Sequence, residues 1–295
     1  MNPLLQDFNT PYNSSPFSKI KNEHYKPAFI KAIELAKEKN LANMGVQAAN
    51  VAPQSVTKVN HTVAHARQVD VDQSVLEKMK VLSTFVDEPG ADAYRLLRTR
   101  VLQRMRQNNW NTLGVTSTHP KAGKSLTAIN LSIAIALDSN YSALLVDADL
   151  RRPSIANYFG LDVEKGIGAY LSGDTPTNEL LITPGIEDFA ILPCEKGQSG
   201  ASELMNSPKM TRFVQQSKKS SANQITVFDL PPITVGDDVL SFSANLDAII
   251  LIVEDGVTER PDVQHALHLL KDVNVLGCVL NKSSEANNST YGGYY

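Results

Sequence analysis

The residues with the clearest chemical potential are Gly123, Lys124 and Ser125, which close the segment Thr118-His119-Pro120-Lys121-Ala122-Gly123-Lys124-Ser125. Its spacing fits the phosphate-loop pattern GxxxxGK[ST], except that Thr118 stands where the first glycine is expected. The chemistry survives that exchange, because phosphate oxygens are cradled by backbone N–H groups of the loop and of the helix that follows. Lys124 then neutralises β/γ-phosphate charge and the Ser125 hydroxyl ligates Mg²⁺. The bland alternative is a glycine-lysine turn opening an ordinary helix. Its place between strand LGVTS and a long apolar helix favours the nucleotide site. Thr118, Pro120, Lys121, Ala122 and Leu126 are expected to line it, although Lys121 reads more readily as a solvated loop lysine, and His119 is a weaker candidate still.

Carboxylates follow in the order such a site needs. LLVDADLRRP places Asp147 and Asp149 at the carboxyl end of a strand, two residues apart and so pointing the same way. Two carboxylates beside a phosphate loop suit Mg²⁺ and a general base, although an acidic turn with Asp149 capping the next helix is the plainer reading. ITVFDLPP ends a β-branched strand at Asp229, a carboxylate fit to orient a metal-bound water. Ser125, Asp147 and Asp229 are thus the expected metal residues, and Lys124, Asp147 and Asp149 the expected catalytic ones.

These side chains need strands that end together. From residue 91 onward a helix (DAYRLLRTRVLQRM), strand LGVTS and a helix over 124–137 are followed by apolar runs SALLVDAD, FAILP, ITVFDL, AIILIVED and VLGCVLN, with helical segments over 203–219 and 261–271. Continuous apolar strands alternating with helices predict an α/β fold, a P-loop NTPase with a mostly parallel sheet covered by helices on both faces. Ligands then bind at the carboxyl ends of the strands. Residues 1–80 lack that alternation, apart from helical spacing of Phe29, Ile30, Ile33 and Leu35 within 24–39, and read as an accessory helix and polar linker. The catalytic domain is expected over 81–283 and a polar tail over 284–295.

Composition narrows the function. Of 295 residues 42% are hydrophobic and 20% charged, with net charge −3 and pI near 6.1. No basic stripe invites nucleic acid. Cys194 and Cys278 end apolar runs without a CxxC partner, which predicts buried thiols in a reducing, cytoplasmic setting. The most apolar stretch, 248–253, is far shorter than the ~20 residues of a membrane span, and no signal pattern opens the chain, so it is expected to be soluble.

Taken together, GKS, VDADLRRP and FDLPP resemble the Walker A, Walker A′ and Walker B motifs of the bacterial tyrosine kinases of capsule and exopolysaccharide synthesis. The likeness covers about three quarters of the chain. Asp92, Arg95 and Arg98 in DAYRLLRTR are similar to that family's Glu-x-x-Arg-x-x-Arg helix, with aspartate for glutamate, through which subunits pack into a ring; a solvated basic face is the alternative. YGGYY resembles the family's C-terminal tyrosine cluster, which implies autophosphorylation of Tyr291, Tyr294 and Tyr295 in trans. The resemblance further implies ATP and Mg²⁺, Asp147 as proton acceptor from tyrosine, Asp149 assisting at the metal, Arg151 or Arg152 stabilising charge, and Asn281 in VLNK at the adenine. It also implies the stand-alone cytoplasmic form, peripheral at the inner face of the plasma membrane through the cytoplasmic tail of a membrane polysaccharide co-polymerase. Two rivals share the motifs: a switch ATPase of the partition and septum-positioning group, whose early loop lysine is replaced here by His119, and a nucleotide-binding adaptor without transferase activity. Residues 1–40 resemble the N-terminus of a zinc oligopeptidase, yet HExxH is lacking and His61 and His65 in HTVAH do not replace it.

Overall fold

The computed structural model describes residues 66–84 and 89–283. The expected helix over 24–39 and the three tail tyrosines lie outside these residues. The eight strands are β1 (Arg67–Gln68), β2 (Thr112–Ser117), β3 (Ser142–Asp147), β4 (Ile182–Thr183), β5 (Phe189–Leu192), β6 (Gln224–Asp229), β7 (Ala248–Glu254) and β8 (Val275–Asn281). They form one sheet in the order β1-β4-β5-β3-β6-β2-β7-β8, parallel throughout except where β4 meets β5. The mostly parallel α/β architecture read from the sequence is what the chain adopts.

Both faces are covered because each central strand is apolar on both sides. Ala143 and Leu145 of β3 pack into one core with Leu113, Val115, Val227 and Ile250, whereas Leu144 and Val146 enter a second core with Phe228, Ile249 and Leu251. Helices α2 (Pro89–Asn108) and α3 (Lys124–Ala136) cover the first face. Burial of nearly every residue of α3 explains why its apolar residues are not confined to one stripe. The single glycine of β2 has a steric reason: a Cβ on Gly114 would lie 2.4 Å from Ile249 Cδ1 and 2.8 Å from Leu246 Cδ1.

Two boundaries differ from the sequence reading. Residues 67–81 belong to the compact domain rather than to a linker. β1 pairs with β4, helix α1 (Gln73–Lys78) is capped by Asp72, Leu76 and Val81 are buried in the first core, and Asn130 Nδ2 donates to the Lys80 carbonyl at 3.1 Å. The helix expected over 203–219 is two helices, Ala201–Met205 and Pro208–Lys218. Pro208 has no N–H to continue the first, and Ser207 caps the second by accepting from Met210 N at 3.2 Å.

Candidate active site at the carboxyl ends of the strands

β2, β3 and β6 are neighbours, and β3 and β6 are in register at their last residues, Asp147 opposite Asp229. The loop between β2 and α3 crosses above them. Gly123 precedes α3 with φ +94°, and with no side-chain cap on that helix its first backbone N–H groups are left for a ligand. Lys121 also has positive φ, +67°. Thr118, Ala122, Lys124 and Ser125 are buried there; Pro120 and Lys121 are exposed, and Leu126 is half-buried.

Lys124 reaches back across this loop. Its ammonium lies 3.0 Å from Asp149 Oδ2 and donates at 3.2 Å to Asp229 Oδ1 and 3.2 Å to Ser125 Oγ, which occupies its three donors. Burial on its own would lower the lysine pKa, but the facing carboxylates of Asp229 and Asp149 outweigh it and hold the group charged. Asp147, fully buried, accepts from Ser154 N at 2.9 Å and Ile155 N at 3.0 Å through Oδ2 alone. Those amides open the short helix α4 (Ile155–Tyr158), and the Ser154 hydroxyl donates to Ser125 Oγ at 3.1 Å. Burial, then repulsion from Asp229, pushes the Asp147 carboxyl up to about 8; burial raises Asp229 as well.

Asp147 Oδ1 and Asp229 Oδ2 are buried and have no hydrogen-bond partner among the described residues. Two buried, unpartnered carboxylate oxygens beside a serine hydroxyl suit a hard divalent cation. Mg²⁺ held there would take its remaining ligands from phosphate and water.

The pH sign follows. Relative to an unfolded carboxyl near 3.8, the folded protein binds the Asp147 proton more tightly. Its contribution to stability is therefore full below that value and is lost as pH rises towards about 8. Mg·ADP binding at pH 7 is expected to expel about one proton from the Asp147/Asp229 pair. Calorimetry in two buffers of different ionisation enthalpy measures this, and zero net release would show that Asp147 is already ionised in the resting site.

Other expected site residues fall differently. Arg151 and Arg152 are exposed, and Arg152 N donates to Asp149 Oδ1 at 3.1 Å, so Asp149 both pairs with Lys124 and caps its own turn. Asn281, expected at adenine, directs Nδ2 to the Ala122 carbonyl at 2.9 Å. Asp92 and Arg95 pair with each other on the surface of α2. Arg98 is turned away from an outward patch: its Nη1 donates to the Ala134 carbonyl at 3.3 Å, and Nε lies 3.9 Å from Asp138. Cys194 is buried, with its thiol pKa raised by burial, while Cys278 is half-buried and pushed up to about 11. The sequence reading overlooked Ser154, whose place before a helix start was a visible signal, and Lys282 and Thr258, for which no motif existed.

No protein-family profile matches the chain. It is similar to the tyrosine-protein kinase YwqD of Bacillus subtilis, 26% identical over 207 residues, covering 70% of this chain and 86% of that protein. It is likewise 26% identical over 201 residues to the tyrosine-protein kinase Etk of Escherichia coli, which covers 66% of this chain but 27% of Etk. Among solved structures, the kinase domain of E. coli Etk superposes with TM-score 0.63 at 24% identity, over 78% of this chain and 93% of that domain. The septum site-determining protein MinD of Pyrococcus horikoshii, complexed with Mg-ADP, gives TM-score 0.51 at 20% identity, over 59% of this chain and 71% of MinD. At these identities the structures speak for the fold, a P-loop NTPase fold, while the sequence relatives are bacterial tyrosine-protein kinases.

Proposed function

We propose that this chain, a relative of the bacterial tyrosine-protein kinases, transfers the γ-phosphate of ATP to tyrosine hydroxyls, with Tyr291, Tyr294 and Tyr295 of a neighbouring copy among the acceptors. The observation that carries this reading is the convergence of Lys124, Asp147, Asp149 and Asp229, all buried, beneath the loop that opens α3 without a side-chain cap. Phosphoryl transfer depends on positioning and charge, and these residues supply both.

Lys124 leaves Asp149 and Asp229 for the β/γ-phosphates. Asp147, oriented by two backbone amides on Oδ2, would accept the proton of the incoming tyrosine in its ionised form. Ser125, Asp147 and Asp229 would hold Mg²⁺, assisted by Asp149, and the ion would offset the growing phosphate charge. Arg151 or Arg152, exposed beside Asp149, meets charge at the mouth of the site. Asp92 and Arg95 form the surface part of a subunit contact that assembles a ring, with Arg98 bracing α2 against α3. The cytoplasmic tail of a membrane polysaccharide co-polymerase activates the kinase and holds it at the inner face of the plasma membrane, where it regulates capsule or exopolysaccharide synthesis. Among the described residues no helix is long and apolar enough to cross a membrane.

Purified chain is incubated with Mg·ATP and the partner's cytoplasmic tail, and phosphotyrosine and phosphate release are followed together. A Tyr291→Phe/Tyr294→Phe/Tyr295→Phe variant is expected to lose nearly all phosphotyrosine while still releasing phosphate. Wild type that hydrolyses ATP without phosphotyrosine would be a switch ATPase. Binding without either product would leave the adaptor reading.

A further inference from the structure

The phosphate loop is held from outside as well as from below. Its outer side rests on the ends of β7 and β8, two strands that contribute none of the carboxylates. Asn281 Nδ2 donates to the Ala122 carbonyl at 2.9 Å, and the next residue, Lys282, donates from Nζ to the Lys121 carbonyl at 2.8 Å. Lys282 Nζ is fixed in turn by Glu254 Oε1 at 2.8 Å, and Asp255 N donates to the Asn281 carbonyl at 2.9 Å, which ties the two strand ends together. On the same side Thr258 Oγ1 lies 2.9 Å from His119 Nε2 and accepts from Glu254 N at 2.9 Å.

These contacts bear on the loop's function through the carbonyls. Successive amides face an anion only if the intervening carbonyls point elsewhere, which requires residues in the left-handed region. Gly123 adopts it without cost, but Lys121 is not a glycine and sits there against its own preference. The two carbonyls that must turn outward, of Lys121 and Ala122, are the two that Lys282 and Asn281 bind. Packing at this point is close: a Cβ on Gly123 would lie 2.0 Å from Asn281 Nδ2. Lys282 is about half exposed, so its ion pair adds little to global stability; what it fixes is direction.

We propose that Asn281 and Lys282, steadied by Glu254, are positioning residues that keep the phosphate loop in its anion-binding shape before nucleotide arrives. This rests on the phosphate-site reading above but assigns Asn281 to the loop rather than to the base.

The test uses the full chain and the variants Asn281→Ala, Lys282→Met and Lys282→Arg. Two measurements are made: amide hydrogen exchange of residues 119–125 without nucleotide, and binding of Mg·ADP and of Mg·pyrophosphate, which has no base. Asn281→Ala and Lys282→Met are expected to speed loop exchange and to weaken both ligands by about tenfold, with Lys282→Arg, which retains a cationic donor, close to wild type. Loss of ADP binding with pyrophosphate binding intact would make Asn281 a base contact and overturn the proposal. Unchanged loop exchange in both variants would overturn it as well. Wild type that binds neither ligand refutes the phosphate-site reading, and because exchange is read on the nucleotide-free protein, the clamp is judged separately.

Discussion

Lys124→Ala is expected to lower phosphotyrosine formation by about 10²–10³-fold, the usual cost of removing one preorganised donor from a charged transition state. A second effect follows from what surrounds the lysine in the resting protein. Lys124 is the counterion of Asp149 and Asp229, and its removal leaves two carboxylates buried without one. Breaking a buried pair this way costs about 3–5 kcal/mol while the remaining charges stay ionised. Asp147 and Asp229 already hold a proton more tightly than a free carboxyl does, and without the lysine they hold it more tightly still. The variant is therefore expected to be less destabilised at pH 5.5 than at pH 8.5, on the far side of the value of about 8 to which Asp147 is raised. Urea unfolding at the two pH values reads the difference. Equal destabilisation at both would show that the lysine acts through packing, and residual kinase rates within tenfold of wild type would remove it from the catalytic set.

What the sequence disclosed about this site depended on how local each signal was. The burial of α3 and of β2, β3 and β6 is written into continuous apolar runs, and Asp147, Asp149 and Asp229 stand where those runs stop. The loop followed from Gly123-Lys124-Ser125. The break at Pro208 was also local, since a serine before a proline marks a helix start. Strands of two residues, β1 and β4, carry no period and could not be read. The direction of Arg98 was hidden for another reason: spacing along α2 tells which residues share a side, but Ala134 and Asp138, which draw Arg98 inward, belong to α3 and its C-terminal end. The clamp on the loop is the extreme case, with Asn281 and Ala122 159 residues apart and joined only by the order of strands in the sheet.

That dependence on the sheet makes Phe228→Ala the substitution with the largest expected effect on the fold. Phe228 is fully buried on β6, one residue before Asp229, with its ring centroid 6.1 Å from Phe213 and 5.6 Å from Phe242 in edge-on contacts. Truncation removes the apolar surface, leaves a cavity between β6 and the helices bearing those two rings, and is expected to cost about 3–5 kcal/mol. For a domain of this size that lowers the melting temperature by roughly 6–20 °C. Leu137→Ala, at an exposed position just past α3, is the control and should change stability by less than about 0.5 kcal/mol. A loss below about 1 kcal/mol at Phe228 would mean that the second core collapses onto the cavity. Nucleotide separates this lesion from the one at Lys124. Phe228 touches the fold and not the phosphates, so Mg·ADP at a hundredfold excess over its dissociation constant should return about 2.7 kcal/mol to Phe228→Ala. The same concentration should return far less to Lys124→Ala, whose defect lies in the binding site itself and raises the dissociation constant.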